Sequence, residues 1–403
     1  MNVLLINASR MAGSTGRNCS EIQEYINSKT DSKCFLAYSV GDEKDNTYQI
    51  GTTIEKRIHG LLSRLLGKQA WFSRVGTKRL LHYMDSIKPN IIHLNNVHAN
   101  YLCFPKVLKY AANNDIAVVL TLHDCWFYTG KCCHYTSANC QKWKKACGKC
   151  PKLRKDNISW FLDRTDQLLK EKKRLYASIK KLGVIGVSEW ITKEAKESIL
   201  SCAKTITCIY NWVDTEIFQP RLRNSKLQIQ LGLNHHKVVI GVASNWGQSK
   251  GLMEFNKLAK ILGEEYKILL IGRLEENILL EKNIIHVKTV SSPSVMSDYY
   301  NLGDVFLTLS IEESFGKVSA EALSCGLPIV CIDSTANKEL VGPGCGKVVD
   351  SFDLNLIACE IKKICVNGKE KYVENCRQYA VQKFDKNKQI EKYLSLYHSL
   401  LEE

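Results

Sequence analysis

The chain has 403 residues, 45% hydrophobic and 24% charged, which is the composition of an ordinary soluble globular protein and too long for one compact core. Its formal net charge of +15 is concentrated, with 15 Lys or Arg against 4 Asp or Glu in residues 131–181; that patch suits a membrane surface, a lipid phosphate or a nucleic acid, or is a solvated face. No run of eighteen apolar residues occurs, which excludes a membrane-spanning helix, and Met1-Asn2-Val3 leads straight into a strand-like run with no secretory signal.

In chain order, VLLIN, KCFLAYS, IIHLN, AVVLTL, GVIGVS and ITCIYN read as strands in the first half. VVIGVAS, YKILLIG, IIHVKTV, VFLTLS and PIVCID follow in the second. Most are continuously apolar, as strands buried on both faces are. Helix-length segments such as PKVLKYAANN and GLMEFNKLAKILGEE lie between most of them, which implies parallel sheets with right-handed crossovers. The polar stretch 211–233 interrupts the alternation and reads as a linker. The expectation is an α/β protein of two doubly wound domains, 1–215 and 216–384, with ligands where strand C-termini face each other. Residues 385–403, with apolar residues at helical spacing, form a terminal helix packing back on the first domain.

The stretch IEESFGKVSAEALSCGLPIV (311–330) places Glu313 at the end of a strand and Glu321 inside the following helix. Free N–H groups at that helix start make an anion site. Two carboxylates about 12 Å apart, at about 1.5 Å of rise per residue, can hold both ends of an elongated polyol phosphate. A nucleotide-sugar has that form. On its own E-x7-E is also an ordinary helix start with a favourable acid.

The block S-x-x-E-S-F-G-x-x-x-x-E-A-L-x-C-G-x-P-I-V resembles the donor-site signature of glycosyltransferase family 4, retaining enzymes of the GT-B fold with two Rossmann-like domains. GSTGR (13–17) is similar to that family's N-terminal glycine loop. IYNWVDTEIFQP is similar to its interdomain segment, with Trp212 where glycine is usual, and DSTANKELVGPGCGKVV to its C-terminal segment. TLHDCWFYTGKCCHY with CQKWKKACGKCP resembles a bacterial subgroup that builds capsule, exopolysaccharide or O-antigen.

The resemblance implies roles. Glu313 holds donor-sugar hydroxyls, the amides of Phe315 and Gly316 lie near sugar and phosphate, and Glu321 binds the ribose. Lys250, with Ser244 upstream, faces the diphosphate, and Gly13 and Gly16 let backbone approach the donor. His123, at the end of AVVLTL, contacts the donor sugar and with Glu313 completes the catalytic pair. The family's usual arginine before the lysine is missing near Ser244-Asn245-Trp246, and Arg273 is the expected substitute. The implied reaction is transfer of a hexosyl group from a UDP- or GDP-sugar to a glycan or polyprenyl-diphosphate-linked acceptor, with retention and with no cofactor required for catalysis. The implied place is the cytoplasm, at the inner face of the membrane. No carboxylate reads as a nucleophile, so no double displacement is assigned.

Acceptor-side candidates are His93, Asn95, Asn96 and His98, at the end of another strand. Cys132, Cys140, Cys147 and Cys150 lie within nineteen residues of the basic loop 131–155, and Cys147-x-x-Cys150 has metal-ligand spacing. They form either a closed structural zinc site or a set of unmetallated thiols. The other cysteines, such as Cys103, Cys208 and Cys331, are scattered in apolar runs, which suits a reducing compartment. Tyr135, Trp143 and Trp160 near the basic patch suit an interfacial surface. No nucleic-acid-binding motif is present, and NASRMAGSTGR lacks the G-x-G-x-x-G of an NAD site. A GT-B sugar-nucleotide epimerase and a non-catalytic sugar-nucleotide-binding protein remain the alternatives.

Overall fold

The continuously apolar runs become thirteen strands in two parallel sheets in the computed structural model, which describes residues 1–274, 278–290, 292–350 and 352–402. The first sheet contains β1 (Asn2–Ser9), β2 (Lys33–Val40), β3 (Thr47–Gln49), β4 (Ile91–Leu94), β5 (Ala117–Leu122), β6 (Leu182–Gly186) and β7 (Thr205–Cys208). Its strand order is β3-β2-β1-β4-β5-β6-β7. The second contains β8 (Lys237–Trp246), β9 (Tyr266–Leu274), β10 (Ile284–Val287), β11 (Val305–Thr308), β12 (Ile329–Ile332) and β13 (Gly346–Val349), ordered β10-β9-β8-β11-β12-β13. In each sheet the order reverses beside the first strand, between β1 and β4 and between β8 and β11. Loops leaving the C-terminal ends of those strands diverge there, which is where open α/β sheets bind ligands.

The chain divides into two compact units, Met1–Ile209 with Ile390–Glu403, and Tyr210–Gln389. The second unit begins six residues before the boundary expected from sequence, for a physical reason. Val213 pairs with Asp385, its N–H donates to Phe384 O at 2.8 Å, and Lys386 pairs with Asp214 at 2.6 Å. The stretch expected as a linker is thus ordered structure of the second unit, and Arg377 Nη1 donates to Phe218 O at 2.7 Å. The strands missing from the sequence reading, β3 and β13, are sheet edges of three and four residues with few apolar side chains.

The final helix, Lys386–Glu402, seats Tyr393 and Tyr397 in the core of the first unit. Tyr397 OH lies 2.6 Å from His93 Nδ1, and Thr121 Oγ1 lies 2.7 Å from His93 Nε2. Tyr397→Phe should therefore destabilise the first unit by about 1–3 kcal/mol, because a buried imidazole nitrogen loses its partner. Urea unfolding of the variant checks this, and an unchanged midpoint would mean that the hydroxyl contributes nothing to docking the helix.

Candidate functional site

In the second unit, β8 leads into the short turn Gln248–Lys250, capped by Gly251 in a left-handed conformation (φ 74°). A Cβ on Gly251 would sit 2.6 Å from Leu309 Cβ, so glycine allows this turn to lie against the segment leaving β11. Ile311 N–H donates to Ser249 O at 3.2 Å and fixes the two loops together. The result is that Lys250 Nζ meets Glu313 Oε1 in a partly exposed ion pair. The sequence reading named both residues but did not foresee this pairing.

Glu313 is held from behind. Its N–H donates to Thr335 Oγ1 at 2.9 Å, and its carbonyl accepts from Ala336 N–H at 3.3 Å. Gly316 (φ 89°) then turns the chain into the helix Lys317–Ser324, whose first N–H groups have no side-chain cap. Beside this start the Ser314 hydroxyl is buried without a hydrogen-bond partner. Phe315 is buried, its ring against Phe384 at 5.3 Å and Tyr210 at 6.2 Å, so its side chain anchors the loop. Glu321 is only 8% exposed, on the fifth residue of the helix, and accepts from Tyr300 OH at 3.0 Å.

Ser244 and Arg273 are both exposed at the C-terminal ends of β8 and β9, where Asn245 pairs with Arg273 in register. Arg273, the residue expected to replace the family's arginine, is therefore one strand away from Ser244-Asn245-Trp246. A bulge between Val242 and Asn245 precedes this pairing.

In the first unit, the helix Gly13–Lys29 starts where β1 ends. Gly13 is exposed at φ 72° with open space around it. Gly16 is different: a Cβ there would lie 2.8 Å from Ser9 Oγ and 3.0 Å from Ser9 O. That glycine allows close packing of the helix start on the strand end.

His93 also needs correction. It is fully buried in β4 with both ring nitrogens engaged, and burial drives its pKa down to about 3, helped by His123. It is a core residue, not an acceptor contact. Asn95 is buried and its Oδ1 lies 3.0 Å from His123 Nε2, which orients that imidazole; Asn95 Nδ2 and Asn96 Oδ1 are buried without partners. His98 Nε2 lies 3.3 Å from Asp124 Oδ2 and 3.4 Å from Cys133 Sγ, and its ring stacks on Trp126 at 5.5 Å. Burial holds the His98 imidazole below its ordinary range despite Asp124. Asn96, His98, Asn100, Arg64 and Lys155 line a cavity of about 350 Å³. Asp124, Cys133 and this cavity were not singled out from sequence; the pattern signal for Asp124 was its place beside His123.

Tyr135 and Trp143 are buried, with their rings 5.0 Å apart and Tyr128 packed 5.0 Å from Trp143. They form a core beneath the basic loop and are not surface anchors. Trp160, Phe161 and Leu162 are exposed instead, Phe161 by 72%. Cys132, Cys140, Cys147 and Cys150 line one small cavity, with Cys132 and Cys150 in hydrogen-bond contact and the Cys150 thiol pulled below its usual range by that bond. Among the described residues no helix is long and apolar enough to cross a membrane.

Residues 224–383 match the family described as "Glycosyl transferases group 1". The chain is 23% identical over 278 residues to the putative colanic acid biosynthesis glycosyl transferase WcaC of Escherichia coli (strain K12), covering 66% of this chain and 65% of that protein. It is 29% identical over 245 residues to the capsular polysaccharide biosynthesis glycosyltransferase CapM of Staphylococcus aureus, covering 55% of this chain and 62% of that one. Each match therefore spans a little under two thirds of the relative. The fold is similar to that of Anabaena Alr3699/HepE, solved in complex with UDP and glucose, at a TM-score of 0.67 and 16% identity over 99% of this chain and 100% of that one. Two parallel sheets in the Rossmann order with this likeness make the architecture GT-B.

Proposed function

We propose, from a chain whose residues 224–383 match the family described as "Glycosyl transferases group 1", that the protein is a glycosyltransferase of surface-polysaccharide biosynthesis. The observation that carries this is the Lys250–Glu313 pair at the switch point of the second sheet, beside an uncapped helix start. An ammonium and a helix start without a side-chain cap attract a diphosphate. A carboxylate beside them accepts from sugar hydroxyls. When a nucleotide-sugar enters, its phosphate takes Lys250 from Glu313 and its sugar takes Glu313 from Lys250, so neither charge loses a partner. Glu321, buried against Tyr300, receives the ribose hydroxyls at the inner end of the site.

Charge on the departing diphosphate builds in the transition state, and Lys250, Arg273 and the helix N–H groups are the groups assigned to stabilise it. The transfer is read as retaining and the group as a hexosyl. UDP is the nucleotide of choice, supported by the fold likeness to a protein solved with UDP and glucose. The acceptor is a glycan or a polyprenyl-diphosphate-linked glycan at the inner face of the cytoplasmic membrane. Support comes from the exposed Trp160, Phe161 and Leu162, and from a groove of about 510 Å³ lined by Lys68, Arg74, Lys106, Lys109 and Arg174.

A thermal-shift panel of UDP-, GDP- and other nucleotide-sugars tests the donor site. One donor at a hundred times its dissociation constant should stabilise the protein by about 2.7 kcal/mol. Glu321→Gln, which keeps an acceptor for Tyr300, should abolish the shift without lowering the unliganded midpoint. No shift with any donor would sink the reading. Arg273→Ala should weaken donor affinity and turnover about tenfold, the worth of one charge-assisted hydrogen bond of about 1.5 kcal/mol. Unchanged affinity and turnover would remove Arg273 from the site.

A further inference from the structure

The loop between β5 and the helix Thr165–Ala177 runs from Thr129 to Arg164 with no regular structure beyond two three-residue turns. Such a segment lacks ladder hydrogen bonds, yet its Tyr135, Trp143 and Lys152 are buried. At its centre Cys132, Cys140, Cys147 and Cys150 line a cavity of about 20 Å³, room for a single ion or water. The four come from separate bends. Left-handed backbone at Asn139 (φ 45°) precedes Cys140, and left-handed Gly148 (φ 123°) and Lys149 (φ 46°) lie between Cys147 and Cys150. These reversals bring four cysteines from one short segment to the lining of one cavity.

A second observation concerns charge. Lys131 and Lys172 are 3% and 0% exposed and flank this cluster. Lys131 Nζ donates to Leu153 O at 2.5 Å, and Lys172 Nζ donates to Trp126 O at 2.5 Å and Thr129 O at 3.0 Å. These partners are backbone carbonyls and carry no formal charge. Asp156 and Asp163 act on Lys131 and Asp124 acts on Lys172, and a thiolate centre would add to that negative charge.

We propose that Cys132, Cys140, Cys147 and Cys150 bind one structural Zn²⁺ as a tetrathiolate. Binding releases four protons, forms four Zn–S bonds and leaves a centre of net charge −2 beside the two buried lysines. Nothing is oxidised or reduced. Four thiolates leave no open coordination position, so the ion is structural. It supplies the constraint that this basic loop otherwise lacks. The proposal is independent of the donor site.

A competing group exists. The ligand atoms of His98, Asp124 and Cys133 all lie within 4.8 Å of one another, closer than those of the four cysteines. In that group, however, Asp124 and Cys133 both approach the same nitrogen, His98 Nε2, and the other Asp124 oxygen caps Trp126 N–H at 2.8 Å. Its members satisfy one another as hydrogen-bond partners. Cys132 and Cys150 also share a hydrogen bond, but all four thiols line one cavity in a segment outside the sheet, so gathering them round an ion requires rearrangement of the loop and not of the strands.

The test uses full-length protein grown with zinc and purified without chelator. Inductively coupled plasma mass spectrometry should find one zinc per chain, released as an organomercurial modifies the thiols. Cys147→Ser and Cys150→Ser should lose the metal, whereas Cys133→Ser and the exposed Cys359→Ser should keep it. Because the serine variants risk misfolding, wild-type protein exchanged with Co²⁺ gives the independent readout. Intense thiolate-to-cobalt absorption in the near ultraviolet with tetrahedral visible bands is expected. The proposal is overturned by folded wild type with no metal and reduced thiols, or by a Cys132–Cys150 disulfide in protein alkylated at lysis. It is equally overturned if Cys133→Ser loses zinc and Cys147→Ser retains it, which would move the ion to His98.

Discussion

Lys250→Ala is expected to lower kcat/KM with the preferred nucleotide-sugar by about 10²–10³-fold, the cost of deleting one preorganised group that faces charge developing in a transition state. The same change should move the thermal midpoint little. The Lys250–Glu313 pair is partly exposed, and exposed ion pairs contribute about 0–1 kcal/mol. A residue that matters greatly for turnover and hardly at all for stability is the signature of a site built for a ligand. Steady-state kinetics and a melting curve on the same preparation check both halves. Normal turnover in the variant would remove the lysine from the mechanism, and a collapse of the midpoint would reassign the pair to structure. Glu313→Gln should fall in turnover with equally small loss of stability, since its backbone, not its carboxylate, is what Thr335 and Ala336 hold.

A steep loss of stability in mild acid is the second large effect. Burial lowers the pKa of His93 to about 3, with His123 adding to it, and burial lowers that of His59 to about 4. Both are neutral in the folded first unit, whereas in the unfolded chain they titrate near 6.5. Above that pH neither state binds the protons and the two histidines add no pH dependence. Below it the unfolded chain binds them and the folded unit does not, so stability falls as pH falls. The slope approaches about 1.4 kcal/mol per pH unit for each histidine, down to their folded values. Between pH 6.5 and 5 the pair should cost about 3 kcal/mol. Urea unfolding at a series of pH values measures this. His93→Gln should be less stable at neutral pH yet lose about half of the acid slope, and an unchanged slope would mean that His93 is protonated when folded.

Sequence alone determined the framework. Continuous apolar runs separated by helix-length segments demand parallel strands covered on both faces, and both sheets have that form. The glutamate block and the lysine loop were legible because a strand end, a glycine turn and a helix start are all short-range features. The cysteine spacing was equally local. Tertiary structure decided the rest. His93, Asn95, Asn96 and His98 read alike along the chain, but only the fold brings Tyr397, 304 positions away, onto His93 and makes it core. Gly16 is a packing glycine because the start of its helix lies against Ser9, and Glu321 is an inner residue because Tyr300 reaches it from another helix. Tyr135 and Trp143 turn inward to pack on Tyr128, leaving Trp160 and Phe161 outside. The physical reason is common to all of them. Apolar periodicity fixes which face of an element is buried, but the role of a polar side chain depends on the partner that meets it, and distant parts of the chain supply that partner only when they fold together.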